Sequence, residues 1–298
     1  MKIDETNEIT LVTVCDNNFI MLLAVLLKSI EENHFSSEHI VVYIVENGIT
    51  KENRLKLEHS LTGTSMSLKW LKLTDVLPKH KVPFDNTTYP LNIYVRLFIP
   101  HFLPLNLKRA IYLDVDMVVV TDISKLWNVD LGNKTIAVAP EPNGYIGENI
   151  KNFKDLGLPA KNQYFNSGLI VFDLERWREK NATEVVLDSI KNNRNFITYP
   201  DQYGLNVSLA DDWYALDRRW NTFSNFQEAD PLIIHYIGYK PIYTDYVGEK
   251  RYLEIFNAYL AKTLWSEFKV QSKYKRYIVK LFTKIKKIYF YRLNVNTN

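Results

Sequence analysis

The chain has 298 residues, of which 46% are hydrophobic and 24% are charged. That length and composition fit one large globular domain or two small ones, with ample apolar material for a core, and exclude an intrinsically disordered chain. The formal net charge of +3 hides an asymmetry, because residues 262–298 carry ten basic residues and one acid while residues 1–261 have a net charge of −6. Such an uneven charge distribution predicts a polyanionic partner for the C-terminal segment.

Strand patterns alternate with helix patterns along most of the chain. Apolar runs rich in β-branched residues predict strands, and 3.6-residue periodicity predicts helices. The first half gives strands at 9–14, 40–45, 67–71 and 109–113, and helices at 19–30, 50–60 and 91–99, the last ended by Pro100 and Pro104. The second half gives strands at 135–139, 168–172 and 232–235, and helices at 182–191 and 201–209. This alternation predicts one α/β domain, residues 1–261, with a mainly parallel sheet covered on both faces.

Two aspartates follow the predicted strand at 109–113. Asp114 and Asp116 are two positions apart, and side chains at i and i+2 of an extended segment point the same way. Their carboxylates are candidates to bind one hard cation, Mg²⁺ or Mn²⁺, which would bridge the oxygens of a diphosphate. Open α/β sheets bind ligands at this end of their strands. The alternative is a solvated strand end.

The aspartate pair belongs to an ordered set of motifs. These are VTVCDNNF at 12–19, YVRL at 94–97, LDVD at 113–116, DISKLW at 122–127, YFNSGL at 164–169, PDQYGLN at 200–206 and HYIGYKP at 235–241. Over most of residues 8–245 they resemble the retaining glycosyltransferases of family 8, which include bacterial lipopolysaccharide galactosyl- and glucosyltransferases and the glycogenins. The resemblance implies a single nucleotide-diphospho-sugar transferase (GT-A) domain.

The resemblance also implies a UDP-sugar donor and a divalent cation, Mn²⁺ or Mg²⁺. Its metal ligands would be Asp114, Asp116 and His235. The implied donor-binding residues are Val14, Cys15, Asp16, Asn18, Arg96, Asp114, Val115, Asp116, Gly238 and Lys240.

The implied catalytic residues are Asn166, Asp201, Gln202 and Arg96. We expect the cation, Lys240 and Arg96 to stabilise negative charge on the β-phosphate, and Asp201 and the Gln202 carbonyl to stabilise positive charge on the anomeric carbon. Transfer is expected to retain configuration. Either the leaving phosphate takes the acceptor proton on the same face, or a covalent intermediate forms on Asp201.

Taken singly, these residues also fit purely structural roles. His235 fits a core histidine, Arg96 a surface residue and Asn166 a turn, while Asp201 fits a helix N-cap that follows Pro200.

The sequence departs from the family pattern in three places. Tyr203 replaces the second acid of the D-Q-D motif, which leaves Asp201 as its only acid. The loop from His235 to Lys240 is one residue shorter than usual, and Ile242 stands where tryptophan is expected. A non-catalytic sugar-nucleotide-binding or polyanion-binding protein therefore remains one alternative.

The expected donor is UDP-galactose, with UDP-glucose the other candidate. We expect an oligosaccharide or glycolipid acceptor of bacterial surface glycan synthesis, bound near the turn-rich loop 140–145. A second alternative is a glycogenin-like protein that glucosylates one of its own tyrosines or another protein.

The C-terminal segment predicts a peripheral membrane protein. Its apolar residues recur at helical spacing beside basic residues, which suits the surface of an anionic bilayer. The alternatives are a helix packed on the body, a nucleic-acid-binding patch and a solvated tail. Of the possible polyanionic partners, we expect a membrane surface and not a nucleic acid. The longest apolar run, 19–27, is too short to span a bilayer. One cysteine and no secretory signal predict a cytoplasmic protein at the inner face of the membrane.

Overall fold

The computed structural model describes residues 7–78, 82 and 90–274. The strands in this part of the chain are β1 (Glu8–Asp16), β2 (His39–Asn47), β3 (Met66–Lys72), β4 (Arg109–Leu113), β5 (Met117–Val119), β6 (Ile136–Val138), β7 (Pro140–Tyr145), β8 (Gln163–Phe165), β9 (Leu169–Asp173), β10 (Trp213–Ala215), β11 (Thr222–Phe223) and β12 (Ile233–His235). The helices are α1 (Ile20–Asn33), α2 (Lys51–Ser60), α3 (Leu73–Val76), α4 (Val95–Phe102), α5 (Ser124–Trp127), α6 (Ile146–Asn149), α7 (Leu174–Glu179), α8 (Ala182–Asn192), α9 (Pro200–Ser208) and α10 (Lys250–Leu260).

The central sheet of the described residues has the strand order β10-β6-β9-β4-β1-β2-β3. Strands β3, β2, β1 and β4 pair in parallel, as do β6 and β10, whereas β9 is antiparallel to both of its neighbours, β4 and β6. The predicted mainly parallel sheet is therefore confirmed.

Helices cover both faces of this sheet, as expected. Alternate residues of each strand point to opposite faces, so Leu11 and Ile111 pack in the cluster with α1 and α10, while Val12 and Tyr112 pack in the cluster with α4, α7, α8 and α9. Helix α1 is buried along most of its length, which explains why its sequence is almost continuously apolar.

A second sheet places one end of β12 beside the aspartate pair. Strand β12 pairs antiparallel with β5 and parallel with β11. The predicted strand 232–235 thus exists, but it lies outside the central sheet.

Two local predictions differ from the structure. Pro100 lies inside α4 instead of ending the predicted helix; proline removes one N–H bond, and burial of Val95, Leu97 and Ile99 outweighs that loss. The turn-rich loop expected at 140–145 forms β7, an irregular strand paired with β8.

The described part of the C-terminal segment packs on the domain. Trp265 is only 9% exposed, and the Lys56 ammonium lies 4.7 Å from its ring centroid. Gln271 donates its N–H to the Ile242 carbonyl at 2.9 Å. The rest of the basic amphipathic segment predicted at 262–298, from residue 275 onward, lies outside the described residues. In the part that is described, no helix is long and apolar enough to cross a membrane.

Candidate active site

The aspartate pair lies where the central sheet meets the second sheet. Asp114 follows β4 directly, and its backbone N–H donates to the Gly168 carbonyl at 2.8 Å, just before β9. Asp116 precedes β5, and its carbonyl accepts the N–H of Tyr236 at 2.9 Å. The pairing of β5 with β12 therefore brings His235, the last residue of β12, beside both aspartates.

Asp114, Asp116 and His235 form one compact cluster. One possible ligand atom from each lies within 4.8 Å of the other two. The His235 Nε2 atom is 3.4 Å from Asp116 Oδ1 and 3.9 Å from Asp114 Oδ2. The predicted metal ligands are thus brought together by elements far apart in the sequence.

Gly168 makes this close approach possible. A Cβ atom at Gly168 would lie 2.5 Å from His235 Cε1, 2.8 Å from Asp114 Oδ2 and 2.9 Å from Asn166 Oδ1. Real Cβ atoms do not approach neighbours this closely, so any larger residue would push the imidazole and the carboxylate apart.

The donor set fits a divalent cation. Two carboxylates and one imidazole suit Mn²⁺, and the carboxylates also suit Mg²⁺. The carboxylates repel each other: burial raises the pKa of Asp114, the charge of Asp116 adds to that rise, and the Arg96 guanidinium opposes it. Positive charge between the carboxylates would relieve this repulsion.

Lys240 supplies positive charge on one side of the cluster. Its ammonium contacts Asp116 Oδ2 and donates to the Tyr236 carbonyl at 2.8 Å. Burial acts to raise the pKa of Asp116, but the Lys240 ammonium beside it opposes this effect, and the pKa falls below its usual value. Asp116 is therefore ionised at neutral pH.

Gly238 sets the short loop that delivers Lys240. It has φ +65°, a left-handed conformation that glycine adopts without strain. Lys240 thus reaches Asp116 although the loop is one residue shorter than in the family pattern. Ile242, at the expected tryptophan position, is buried in the core.

Arg96 is a buried ion-pair hub, not a surface residue. Its Nη2 donates to Asp114 Oδ1 at 2.9 Å, and its Nε lies 3.2 Å from Asp201 Oδ2. Its Nη1 donates to Ser167 Oγ at 2.9 Å, and its guanidinium carbon lies 4.6 Å from the Tyr112 ring centroid. Arg96 thereby ties the start of α4 to the aspartate pair and to α9.

Asp201 is not the N-cap of α9. The N-cap is Tyr199 and Pro200 is the first helical residue, so Asp201 falls in the first turn with its side chain turned inward. Its Oδ2 accepts the Ser167 hydroxyl at 2.9 Å. Proline at N1 moves the cap back by two residues, which the residue pattern alone did not indicate.

Asn166 and Gln202 form an internal amide pair. Gln202 Oε1 accepts hydrogen bonds from Asn166 Nδ2 at 3.1 Å and from the Ser167 N–H at 3.2 Å. Its Nε2 donates to Glu141 Oε1 and to the Tyr164 hydroxyl, both at 3.0 Å. Both lone pairs of the Gln202 carbonyl are therefore occupied by internal donors, which makes Gln202 an organiser of the site in this conformation.

A cleft of about 280 Å³ opens beside the cluster. It is lined by the end of β1, the turn at 90–93 and the aspartate pair, and includes most predicted donor-binding residues: Val14, Cys15, Asp16, Arg96, Asp114, Val115, Asp116 and Lys240. Asn18 and Gly238 lie outside the lining, and the Asn18 N–H donates to Asp16 Oδ1 at 2.8 Å. A larger depression of about 430 Å³ near Trp213 contains no predicted site residue.

Tyr203 packs away from the ion-pair hub. It is 2% exposed, clusters with Ile146, Ile150 and Tyr164, and donates its hydroxyl to Asn152 Oδ1 at 2.8 Å. The position of the missing second acid thus belongs to a small satellite core beside α9.

Sequence reasoning missed four residues of this network. Tyr112 donates its hydroxyl to Asp114 Oδ1 at 2.6 Å; it lies two positions before Asp114, which directly follows β4, so the i, i+2 spacing is a signal present in the sequence. Ser167 lies within a recognised motif but was given no role. Glu141 lies in the loop 140–145 predicted to bind the acceptor, but no individual role is predicted for it; Asn221 has no local signal, since its partners come from distant segments.

Comparisons with known proteins agree with this fold. The sequence model described as glycosyl transferase family 8 matches residues 10–241. General stress protein A of Bacillus subtilis is 27% identical over 287 residues, covering 89% of this chain and 97% of that protein. Lipopolysaccharide 1,2-glucosyltransferase of Escherichia coli is 32% identical over 161 residues, covering 49% of this chain and 47% of that protein.

Solved structures show the same architecture. The galactosyltransferase LgtC, solved in complex with donor and acceptor sugar analogues, has a TM-score of 0.71 at 20% identity, covering 86% of this chain and 96% of that one. The bifunctional glycosyltransferase WbbM has a TM-score of 0.73 at 21% identity, covering 88% and 51%. The chain therefore belongs to glycosyl transferase family 8 and is a glycosyltransferase with the GT-A fold.

Proposed function

We propose that this chain is a metal-dependent, retaining hexosyltransferase that moves galactose or glucose from a UDP-sugar to a hydroxyl of a saccharide acceptor. The convergence of Asp114, Asp116 and His235, with Lys240 beside Asp116, supports this most strongly. The carboxylate pair and Lys240 line the cleft of about 280 Å³, which we assign to the donor. The name of the Escherichia coli relative, lipopolysaccharide 1,2-glucosyltransferase, supports an acceptor in bacterial surface glycan synthesis.

Each charged group of the site has a role in this reaction. Breaking the bond between the anomeric carbon and the β-phosphate oxygen builds negative charge on the departing UDP and positive charge on the sugar. A divalent cation bound by Asp114, Asp116 and His235 would act as a Lewis acid toward the diphosphate. Lys240 and Arg96 add positive charge on the leaving-group side.

Asp201 is held in a manner that favours same-face retention. Its Oδ2 accepts the Ser167 hydroxyl and pairs with Arg96, so its charge is partly neutralised and its nucleophilicity is lowered. The acceptor oxygen bonds to the anomeric carbon on the face from which UDP departs, and its proton passes to the leaving phosphate. A sugar adduct on Asp201, detected by intact-mass measurement with a slow acceptor, would instead establish the covalent route.

Asp114→Asn tests the metal-dependent reaction directly. Replacing one carboxylate oxygen by an amide removes negative charge from the cation site, and we expect loss of Mn²⁺-dependent hydrolysis of UDP-galactose and UDP-glucose, measured as UDP release. Asp188→Asn, on an exposed position of α8, is the matched control and should keep wild-type activity. Full activity of Asp114→Asn would overturn the metal-site proposal.

Two observations weigh against a non-catalytic protein. Tyr203, the departure in D-Q-D, packs in a satellite core, and Lys240 contacts Asp116 despite the shortened loop. UDP release by the wild type would exclude this alternative. Incubation with UDP-glucose followed by intact-mass measurement tests the glycogenin-like alternative, which requires mass increments of whole hexose units on the chain itself.

We also propose that the basic C-terminal segment attaches the enzyme to an anionic membrane surface. Residues 275–298 contain seven basic residues and no acid, and each contributes about 1 kcal/mol near such a surface. Because Trp265 is part of the domain core, the informative truncation begins at residue 275. This variant should lose co-sedimentation with anionic liposomes yet keep UDP-sugar hydrolysis; unchanged liposome binding would refute the proposal.

A further inference from the structure

A continuous chain of side-chain hydrogen bonds joins Glu141 on β7 to His235 on β12. Gln202 Nε2 donates to Glu141 Oε1 at 3.0 Å, and Asn166 Nδ2 donates to Gln202 Oε1 at 3.1 Å. Asn221 Nδ2 then donates to Asn166 Oδ1 at 3.2 Å, and Asn221 Oδ1 lies 2.9 Å from His235 Nδ1. Three amides therefore connect a carboxylate to an imidazole.

Two backbone donors fix the direction of this chain. The N–H groups of Ser167 and Gly168 can only donate, and they meet Gln202 Oε1 at 3.2 Å and Asn166 Oδ1 at 2.9 Å. The atoms they meet are thus oxygens, and Asn221 must turn its NH₂ group toward Asn166. That leaves the Asn221 oxygen facing His235.

We propose that Asn221 is a positioning residue that keeps the proton of His235 on Nδ1, so that the lone pair of Nε2 faces the aspartate pair. Asn221 accepts the Nδ1–H bond, and Nε2 stands 3.4 Å from Asp116 Oδ1. A histidine that binds a metal through one nitrogen needs the other nitrogen held in this way. Only the assignment of His235 to the cation rests on the proposed function.

Burial makes the Asn221 contact hard to replace. Asn221 and His235 are each 3% exposed, so bulk water cannot readily take over the acceptor position. Phe223 packs edge-on against the ring, with centroids 6.0 Å apart, and this apolar contact offers no competing acceptor. The chain of aligned amides ends at the carboxylate of Glu141. The negative charge of that carboxylate strengthens the hydrogen bonds that the amides donate toward it.

The tautomer of His235 is measurable without any metal or sugar. Long-range ¹H–¹⁵N spectra distinguish a protonated from an unprotonated ring nitrogen, and the His235 signals are those missing from His235→Gln. At a pH where the ring is neutral, we expect Nδ1–H in the wild type. Nε2–H in the wild type would overturn the proposal even if no variant folds.

Substitutions at Asn221 separate positioning from general packing. Asn221→Ala should lose the preference for Nδ1–H. Asn221→Asp loses the hydrogen bond to Asn166 but keeps an acceptor oxygen toward Nδ1, and should therefore retain the preference. Asn152→Ala is the matched control, because Asn152 is also a buried amide but bonds to Tyr203 and Asn193. Wild-type ¹⁵N signals in Asn221→Ala would refute the positioning role.

Mn²⁺ titration calorimetry gives the second readout. Loss of a partner that orients a metal ligand lowers metal affinity by about 10–100-fold, and we expect a loss of that size for Asn221→Ala but none for Asn152→Ala. Equal Mn²⁺ affinity of wild type and Asn221→Ala would contradict the proposal. If the wild type itself binds no Mn²⁺, the proposed metal-dependent function fails, while the tautomer measurement still decides the role of Asn221.

Discussion

Gly168→Ala provides a stringent test of the site geometry. The added Cβ would lie 2.5 Å from His235 Cε1 and 2.8 Å from Asp114 Oδ2, whereas ordinary contact begins at 3.4 Å. To reach 3.4 Å, the ring must retreat by about 0.9 Å and the carboxylate must also retreat by about 0.6 Å. Ligand distances in metal sites tolerate about 0.2 Å, so the donor set would be spread beyond that tolerance.

The expected result is a loss of Mn²⁺ affinity of at least about 10-fold, or about 1.4 kcal/mol, measured by titration calorimetry on protein shown to be folded by circular dichroism. Overpacking alone also costs about 1–3 kcal/mol of stability. Gly147→Ala controls for this cost, because its Cβ would lie 2.9 Å from the Ala160 Cβ, away from the cluster, and its Mn²⁺ affinity should match the wild type. Undiminished Mn²⁺ binding by Gly168→Ala would refute the steric argument.

Two further predictions concern the stability of the domain. Asp122→Asn should lower the free energy of unfolding by about 2 kcal/mol at pH 7, because the carboxylate accepts three backbone N–H bonds. Burial opposes ionisation, but these bonds outweigh it and hold the pKa of Asp122 below its usual value. The stability that the carboxylate contributes is complete above the unfolded pKa of about 3.9 and is lost as the pH falls further. Urea denaturation curves of the two proteins should therefore converge in acid and diverge at neutral pH. Trp265→Ala should lower the free energy of unfolding by about 3 kcal/mol, whereas Val270→Ala, at a position 54% exposed, should change it by less than about 0.5 kcal/mol. Equal effects of these two substitutions would show that residues 262–274 do not pack as described.

The packing of Trp265 reduces the number of C-terminal basic residues that are available to a polyanionic partner. Three of the ten basic residues, Lys262, Lys269 and Lys273, lie in the described part that continues the domain. Lys262 contacts Glu32 on the surface of α1, so its charge is already partly matched by the acidic body. The charge available for a polyanionic partner is therefore concentrated from residue 275 onward.

Local sequence determined the longer elements of this protein and their order along the chain. The bounds of β4, Arg109–Leu113, agree with the predicted strand 109–113, because a short apolar run bounded by polar residues is a local property. Strand alternation likewise places Tyr112 and Asp114 on one side, and ordered motifs were sufficient to predict the family and the GT-A fold. Some local rules failed: Pro100 lies inside α4 because burial of the surrounding helix prevailed, residues 140–145 form β7, and Asp201 is not the N-cap of α9.

Tertiary structure alone decided how these elements build the site. His235 joins the aspartates because β12 pairs with β5. Arg96 becomes a hub because Asp114, after β4, and Asp201, in α9, both lie against its guanidinium. The direction of the amide chain from Glu141 to His235 depends on the backbone donors of Ser167 and Gly168. Local patterns carry no information on such contacts, because partners distant in sequence are selected by the packing free energy of the whole chain.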